Sequence, residues 1–261
     1  MTALSVNVNK IAWLRNAREG SRPDLLHCCK SIIDAGAQGI TVHPRPDQRH
    51  IRPDDTRVIA NFLENEPSIE FNIEGNPEAG EEPNGYPGFL ELVESIRPAQ
   101  CTLVPDDANQ LTSDHGFDFM DQSTFAKVSQ HISHLKNSEI RVSVFLDPVH
   151  EQVRRAADAG TDRIEFYTGP WVELTEEHGL NSDAANECLE KYRSSLVLAR
   201  ELGLEINAGH DLNLLNLQKF CTIGQIDEVS IGHALISDAL DFGLQNTVKK
   251  YLTELSHVDR S

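Results

Sequence analysis

Eight short apolar runs, each followed by an amphipathic stretch, recur from one end of this chain to the other, and that alternation constrains its fold more than any other feature. The runs are Leu4 to Val8, Ile40 to Val42, Glu70 to Ile73, Cys101 to Val104, Arg141 to Leu146, Arg163 to Tyr167, Leu204 to Asn207 and Glu228 to Ile231. Their β-branched and aromatic residues, bounded by turn formers, read as strands. Helical spacing predicts helices over Pro23 to Ala35, Pro53 to Asn65, Gly88 to Ile96, Ser123 to Lys136, Glu151 to Ala159, Ala184 to Leu202, Leu214 to Phe220 and Ala234 to Leu255. Eight β-then-α units in about 250 residues predict a TIM (β/α)8 barrel with extra short helices, an α/β fold whose functional groups gather at the C-terminal ends of the strands. An open doubly wound sheet is the alternative. Its dinucleotide-binding form is disfavoured because no G-x-G-x-x-G follows the first run.

With 261 residues, 39% hydrophobic and 25% charged, the chain suffices for one large core, and a single TIM-barrel domain over residues 1–261 is expected. No apolar run approaches the roughly 20 residues of a membrane helix, and no signal-peptide pattern opens the chain. A cytoplasmic protein with no membrane partner is therefore expected. The cysteines, Cys28, Cys29, Cys101, Cys188 and Cys221, form no C-x-x-C pair and are odd in number, which reads as reduced core thiols. A net charge of -18 opposes nucleic-acid binding, so an anionic ligand needs a locally positive pocket. Three connections exceed minimal length. Asn9 to Arg22 suits a mobile active-site loop or a short extra helix, the acidic Asn76 to Pro87 a surface insertion, and Thr168 to Asp183 a short extra element.

In such a barrel the residues after each strand face one mouth. The second strand runs into His43-Pro44-Arg45-Pro46-Asp47-Gln48-Arg49-His50, where the prolines force a stiff loop out of the sheet. Guanidinium groups match phosphate oxygens and imidazoles titrate near neutrality, so the loop reads as a site for a phosphorylated substrate, with a solvated basic turn as the plainer alternative. By alternation Glu74 shares a face with Asn72. It is either an interior carboxylate between apolar walls, with the raised proton affinity of a general base, or a rim group at the start of a loop. Asn207-Ala208-Gly209-His210-Asp211 ends the seventh strand, its small residues allowing close backbone approach before an imidazole. Gly232-His233 opens the last helix, where free amides attract anions. Asn7, Asn9, Lys10, Asp106, Asp147, Glu165, Tyr167 and Thr168 complete the strand-end chemistry.

Taken together, Val6 to Arg18, Ile40 to Ile51, Asn207 to His210 and Ser230 to Ala234 closely resemble the pyridoxine 5′-phosphate synthase family, in order and across the whole chain. The resemblance implies a TIM barrel that condenses 1-deoxy-D-xylulose 5-phosphate with 3-amino-2-oxopropyl phosphate, releasing pyridoxine 5′-phosphate, phosphate and water, with no metal and no organic cofactor. It implies an acid/base role for His43, a second proton-accepting role for Glu74 and proton donation by His210. It implies that Arg45, His50 and Thr112 bind the deoxyxylulose phosphate, and that Asn7, Arg18, Gly232 and His233 hold the amino-ketone phosphate. It further implies a homo-octamer built as a tetramer of dimers. Asn9-Lys10 stands where the family carries Asp-His, Lys10 keeping a positive charge at the first-strand contact. Asp211 replaces a glycine of the amino-ketone phosphate site, where a carboxylate repels the ligand unless its side chain turns away. The insertion from Asn76 to Pro87 follows Glu74 directly.

Rival readings rest on the same residues. A metal-dependent barrel hydrolase would use His43, His210 and His233, although no H-x-H follows the first strand and no H-E-x-x-H occurs. A Schiff-base aldolase would use Lys10 as nucleophile. A non-catalytic phosphate-metabolite binder would keep Arg45 and Gly232-His233 while the proton-transfer groups serve only as hydrogen-bond partners.

Overall fold

The computed structural model describes residues 2–107 and 110–258. In chain order the elements are β1 (Ala3–Asn7), α1 (Asn9–Asn16), α2 (Leu25–Asp34), β2 (Gly39–Val42), α3 (Pro53–Leu63), β3 (Glu70–Gly75), α4 (Phe89–Ile96), β4 (Gln100–Leu103), α5 (Gln122–Asn137), β5 (Arg141–Leu146), α6 (His150–Asp158), β6 (Arg163–Tyr167), α7 (Gly169–His178), α8 (Asp183–Glu201), β7 (Glu205–His210), α9 (Leu217–Phe220), β8 (Glu228–Ile231), α10 (His233–Phe242) and α11 (Leu244–Val258). Every strand is parallel to its neighbour, and β8 pairs with β1 to close the barrel. The chain therefore forms the expected (β/α)8 barrel and not an open sheet.

Alternation along the strands decides what faces the helices and what fills the barrel. Leu4, Val6, Ile40, Val42, Ile73, Leu103, Val142, Val144, Ile164, Phe166, Ile206 and Ile231 are buried on the outer face and form one apolar cluster with the helices. Most of the intervening residues are polar, and those in the middle of the barrel are equally buried, with Phe145 the large apolar exception. Ser5 and Thr41 share a hydroxyl hydrogen bond of 2.8 Å, Thr102 Oγ1 donates to Asn72 Oδ1 at 3.1 Å, and Asn207 Nδ2 donates to Glu228 Oε1 at 3.1 Å. The branched apolar layers usual inside such barrels thus give way here to a hydrogen-bonded polar column. Toward the N-terminal end, Arg163 Nη1 donates to Gln100 Oε1 at 2.9 Å and its Nη2 to Glu205 Oε2 at 2.6 Å.

This column links stability to pH. Burial, with Glu70 and Glu165 adding to it against Arg163, pushes the Glu228 carboxyl up to about 8. The unfolded chain releases that proton near the ordinary glutamate value, so between the two pKa values the native state binds more protons and loses stability as pH rises. Glu228→Gln is expected to flatten the fall in melting temperature between about pH 5 and pH 8. Thermal melts across that range measure it, and an unchanged slope would remove Glu228 as its source.

Local chemistry sets the helix starts. Asp24, Asp121 and Ser182 accept hydrogen bonds from the amides of His27, Thr124 and Ala185, capping α2, α5 and α8. Pro53 opens α3, and Asp55 accepts from the Arg52 amide at 2.9 Å.

The structure refines several expectations. Asn9 to Arg22 contains helix α1, with Ile11 and Ala12 buried. Arg15 of α1 donates to Asp55 of α3 at 2.8 Å, and Asn16 Nδ2 donates to the His50 carbonyl at 2.8 Å. Thr168 to Asp183 contains α7. The last stretch is two helices, because Gly243 adopts φ +77°, a left-handed geometry that ends α10. The insertion carries no helix or strand, and although residues 81–85 are exposed, Tyr86 is buried. All five cysteines are free thiols, four of them buried. Among the described residues no helix is long and apolar enough to cross a membrane.

Candidate active site

After Val42 the chain cannot continue the ladder through Pro44 and Pro46, so it turns over the barrel mouth. His43 opens this turn. Its amide donates to Asn9 Oδ1 at 2.9 Å, and the Asn9 amide donates to Asn7 Oδ1 at 3.0 Å. Asn9 therefore ties the start of α1 to the β2 loop. The imidazole sits between two carboxylates, Nδ1 at 3.9 Å from Glu74 Oε2 and Nε2 at 3.6 Å from Asp106 Oδ2. Burial, followed by the charges of Arg45, His210 and Arg49, holds the His43 pKa well below its usual value. A neutral imidazole results, ready to accept a proton.

Glu74 lies within β3 and is buried in the barrel, which settles the choice between interior and rim. Its walls are polar, not the apolar ones expected. Asn7 Nδ2 donates to Oε2 at 3.3 Å and Asn72 Nδ2 to Oε1 at 3.5 Å. Burial, reinforced by the like charges of Glu165, Asp106 and Glu228, raises its pKa well above the carboxylate range. The site thus pairs a neutral base, His43, with a carboxyl that retains its proton.

Positive charge collects on one side of the mouth despite the acidic chain. Arg45 is buried, ion-paired with Asp106, and donates to the Gln110 carbonyl at 3.2 Å. Asp106 also accepts from Ser113 Oγ at 2.9 Å. Lys10 Nζ stands 4.5 Å over the Trp13 ring, and its pKa is lowered by burial and by the neighbouring Arg45 and Arg49. His50 Nδ1 accepts from the Ile51 amide at 2.9 Å. Burial and the surrounding positive groups push its pKa down to about 2, so the ring is neutral and carries its proton on Nε2.

On the other side, His210 ends β7 with φ +96°, an uncommon geometry for a residue with a side chain. Its ring is fixed at both nitrogens: Nδ1 lies 3.0 Å from Asp211 Oδ2, and Nε2 lies 2.6 Å from Thr112 Oγ1. The Asp211 carboxylate thus turns onto His210. Glu165 lies deeper, with Oε2 buried and without a hydrogen-bond partner, and burial pushes it up to about 7. Gly209 leaves the room it needs, since a Cβ there would lie 2.4 Å from Glu165 Oε1. Gly232 precedes α10 beside Asn7, and His233 is its first helical residue.

These groups line one cavity of about 300 Å³ at the C-terminal ends of the strands. It contains His43, Glu74, His210, Asn7, Asn9, Lys10, Arg45, His50, Thr112, Asp211, Gly232 and His233. Arg18 is the exception: it is exposed beyond α1 and does not line the cavity. Glu165, Ser113, Ser230 and Leu111 also line it, while Asp106 stands behind His43 and Arg45. Asp106 and Glu165 stand out in the sequence only as carboxylates near strand ends; their importance comes from which neighbours the register puts beside them. Among the described residues no group of three or more His, Cys, Asp or Glu side chains is arranged to hold a metal ion.

The chain matches the family described as Pyridoxal phosphate biosynthesis protein PdxJ over residues 4–257. It is 51% identical over 256 residues to the Pyridoxine 5'-phosphate synthase of Cytophaga hutchinsonii, covering 98% of this chain and 99% of that protein. It is 49% identical over 253 residues to the protein of the same name from Xanthomonas axonopodis pv. citri, covering 96% and 95%. Among solved structures, thiamine phosphate pyrophosphorylase from Pyrococcus furiosus superposes with a TM-score of 0.60 at 11% identity, covering 98% of this chain and 96% of that one. Phosphoribosyl anthranilate isomerase from Thermotoga maritima superposes with a TM-score of 0.56 at 15% identity, covering 98% and 100%. At such identities these structures establish the shared barrel alone. The match runs from the first strand to the last helix and is joined by relatives identical at about half of the aligned positions: the chain belongs to the PdxJ family of pyridoxal phosphate biosynthesis proteins.

Proposed function

We propose that this chain condenses 1-deoxy-D-xylulose 5-phosphate with 3-amino-2-oxopropyl phosphate to give pyridoxine 5′-phosphate, phosphate and water; its relatives are named for the synthesis of pyridoxine 5′-phosphate. The observation that carries the reading is the placement of the neutral His43 imidazole between Glu74 and Asp106, in a cavity whose rim is positive. Joining an amine to a ketone, expelling water and phosphate, and aromatising the ring are chiefly proton transfers. His43 accepts a proton from the reacting substrate, and Glu74, protonated at rest, supplies one and so becomes the proton acceptor of a later step; an imidazolium–carboxylate pair forms while the net charge of the site is unchanged. His210, held by Asp211 and Thr112 on the far side, delivers a proton to the departing oxygen. Because the imine forms between the two substrates, no enzyme lysine is required.

Two phosphorylated substrates need two anion sites. Arg45, Lys10 and the Nε2–H of His50 suit one phosphate, with Thr112 beside them. Asn7, Gly232 and His233 at the start of α10 suit the other, where backbone amides point at the ligand. Asp211 stays clear of that phosphate because its carboxylate is engaged by His210. The reading includes work in the cytoplasm, assembly as a homo-octamer and no added cofactor. Purified protein mixed with the two phosphorylated substrates is expected to form pyridoxine 5′-phosphate, detected by absorbance and mass. Binding of both without any ring product would replace this reading with that of a metabolite binder, and a monomer mass in solution would remove the octamer.

A further inference from the structure

The insertion between β3 and α4 grips the Arg45 site from behind through two asparagines that follow the same rule. Asn84 Oδ1 accepts from the Tyr86 amide at 3.0 Å, shaping the insertion itself, while its Nδ2 donates outward to the Pro46 carbonyl at 2.8 Å. Asn76 Oδ1 accepts from the Glu78 amide at 2.8 Å, again inside the insertion, while its Nδ2 donates outward to the Asp106 carbonyl at 2.8 Å. One amide thus holds the backbone next to Arg45, and the other holds the backbone of the residue whose carboxylate is ion-paired with Arg45. A third bond closes the set: Gln48 Nε2 donates to the Asn84 carbonyl at 3.0 Å, from a residue at φ +55°.

The contacts are made against a fixed wall. Tyr86 is buried, and Phe89, fully buried, packs so closely on Gly75 that a Cβ there would lie 2.3 Å from its ring. A cavity of about 160 Å³ separates the two gripped segments and is lined by Pro46, Asn76, Tyr86 and Asp106 among others. The Asn84 amide and Gln48 tie the insertion to the Arg45 side of the pair, and the Asn76 amide ties it to the Asp106 side. Side-chain amides that complete a turn with their oxygen keep a free N–H₂ to donate elsewhere. Both are therefore built to report the shape of the insertion to the site.

We infer that Asn76 and Asn84 are positioning residues, and that the Asn76–Pro87 insertion is a clamp that sets Arg45 for the phosphate of the pentulose substrate. The inference rests on the proposed function for the identity of that substrate. A site held in place in advance spends less of its binding energy on ordering itself, so releasing the clamp weakens binding of one substrate and leaves the chemistry untouched.

The test compares wild type with Asn84→Asp, Asn76→Asp and the charge-free double variant Asn76→Ala/Asn84→Ala. Each Asp variant keeps the oxygen that shapes the insertion and turns the outward donor into a charged acceptor facing a carbonyl, and the double alanine variant breaks the same contacts without adding charge. Two readouts are taken: amide hydrogen exchange of residues 44–51, which needs no substrate, and steady-state kinetics with each substrate varied in turn. Faster exchange is expected, with KM for 1-deoxy-D-xylulose 5-phosphate raised about threefold or more in each single variant. The KM for 3-amino-2-oxopropyl phosphate and kcat are expected to stay within about twofold. Unchanged exchange in the double variant overturns the clamp whatever the kinetics. Faster exchange with both KM values unchanged overturns the positioning role. Faster exchange in a protein whose wild type makes no ring product sustains the clamp while removing the proposed reaction.

Discussion

His43→Ala is expected to lower ring-product formation by about 10²–10⁴-fold, the usual loss when a positioned proton-transfer group is removed. Among the described residues the imidazole is the titratable group placed between Glu74 and Asp106, at 3.9 Å and 3.6 Å. Folding is expected to survive the change. The contact that fixes the loop uses the His43 backbone amide, donating to Asn9, and alanine retains it. Removing a ring kept neutral by burial also leaves no buried charge unpaired. Single-turnover product formation alongside a thermal melt checks both halves. Normal turnover in a folded variant would end the assignment, and a collapse of the melt would assign His43 to structure instead.

Glu74→Gln is expected to cost a similar factor, for a different reason. The resting carboxyl already holds its proton, since burial and three neighbouring carboxylates oppose its ionisation. Glutamine reproduces that neutral group in size, and its oxygen still accepts from Asn7 Nδ2. What it lacks is a proton that can leave. The substitution also removes a potential charge from a cluster containing Glu165, Asp106 and Glu228, so the melting temperature is expected to hold or to rise at high pH. Loss of turnover with an intact melt supports the role. Turnover within about twofold of wild type would show that Glu74 carries no proton in the reaction.

The barrel was legible because its two periodicities are cleanly separated: outward strand residues such as Ile40, Val42, Val142 and Val144 are apolar, and the helices between them repeat at helical spacing. The same habit concealed the interior. Reading each strand as an apolar run sets aside Ser5, Thr102, Ser143 and Asn207 as interruptions, whereas register makes them successive members of one column. Strand ends were blurred where residues outside the apolar run extend the ladder, as with Glu74 and Gly75 and from Ala208 to His210. Site residues were legible where the chain itself is unusual, at His43-Pro44-Arg45 and at Gly209-His210. Asp106 and Glu165 were not, because their roles depend on partners 61 residues away at Arg45 and on the space left by Gly209. Asp211 looked like a hazard for a phosphate until the structure gave its carboxylate a neighbour of its own.

The Thr112 hydroxyl meets His210 Nε2 at 2.6 Å, so a segment that follows β4 touches the end of β7 across the open mouth. Both residues face ligand-sized space, and each is already occupied by the other. A substrate that claims the Thr112 hydroxyl or the His210 ring must therefore trade places with an existing bond, and its arrival becomes an exchange of partners instead of the filling of a vacancy. An exchange of this kind lowers the association rate, and it leaves His210 Nε2 free of the Thr112 hydroxyl only in molecules that hold a ligand.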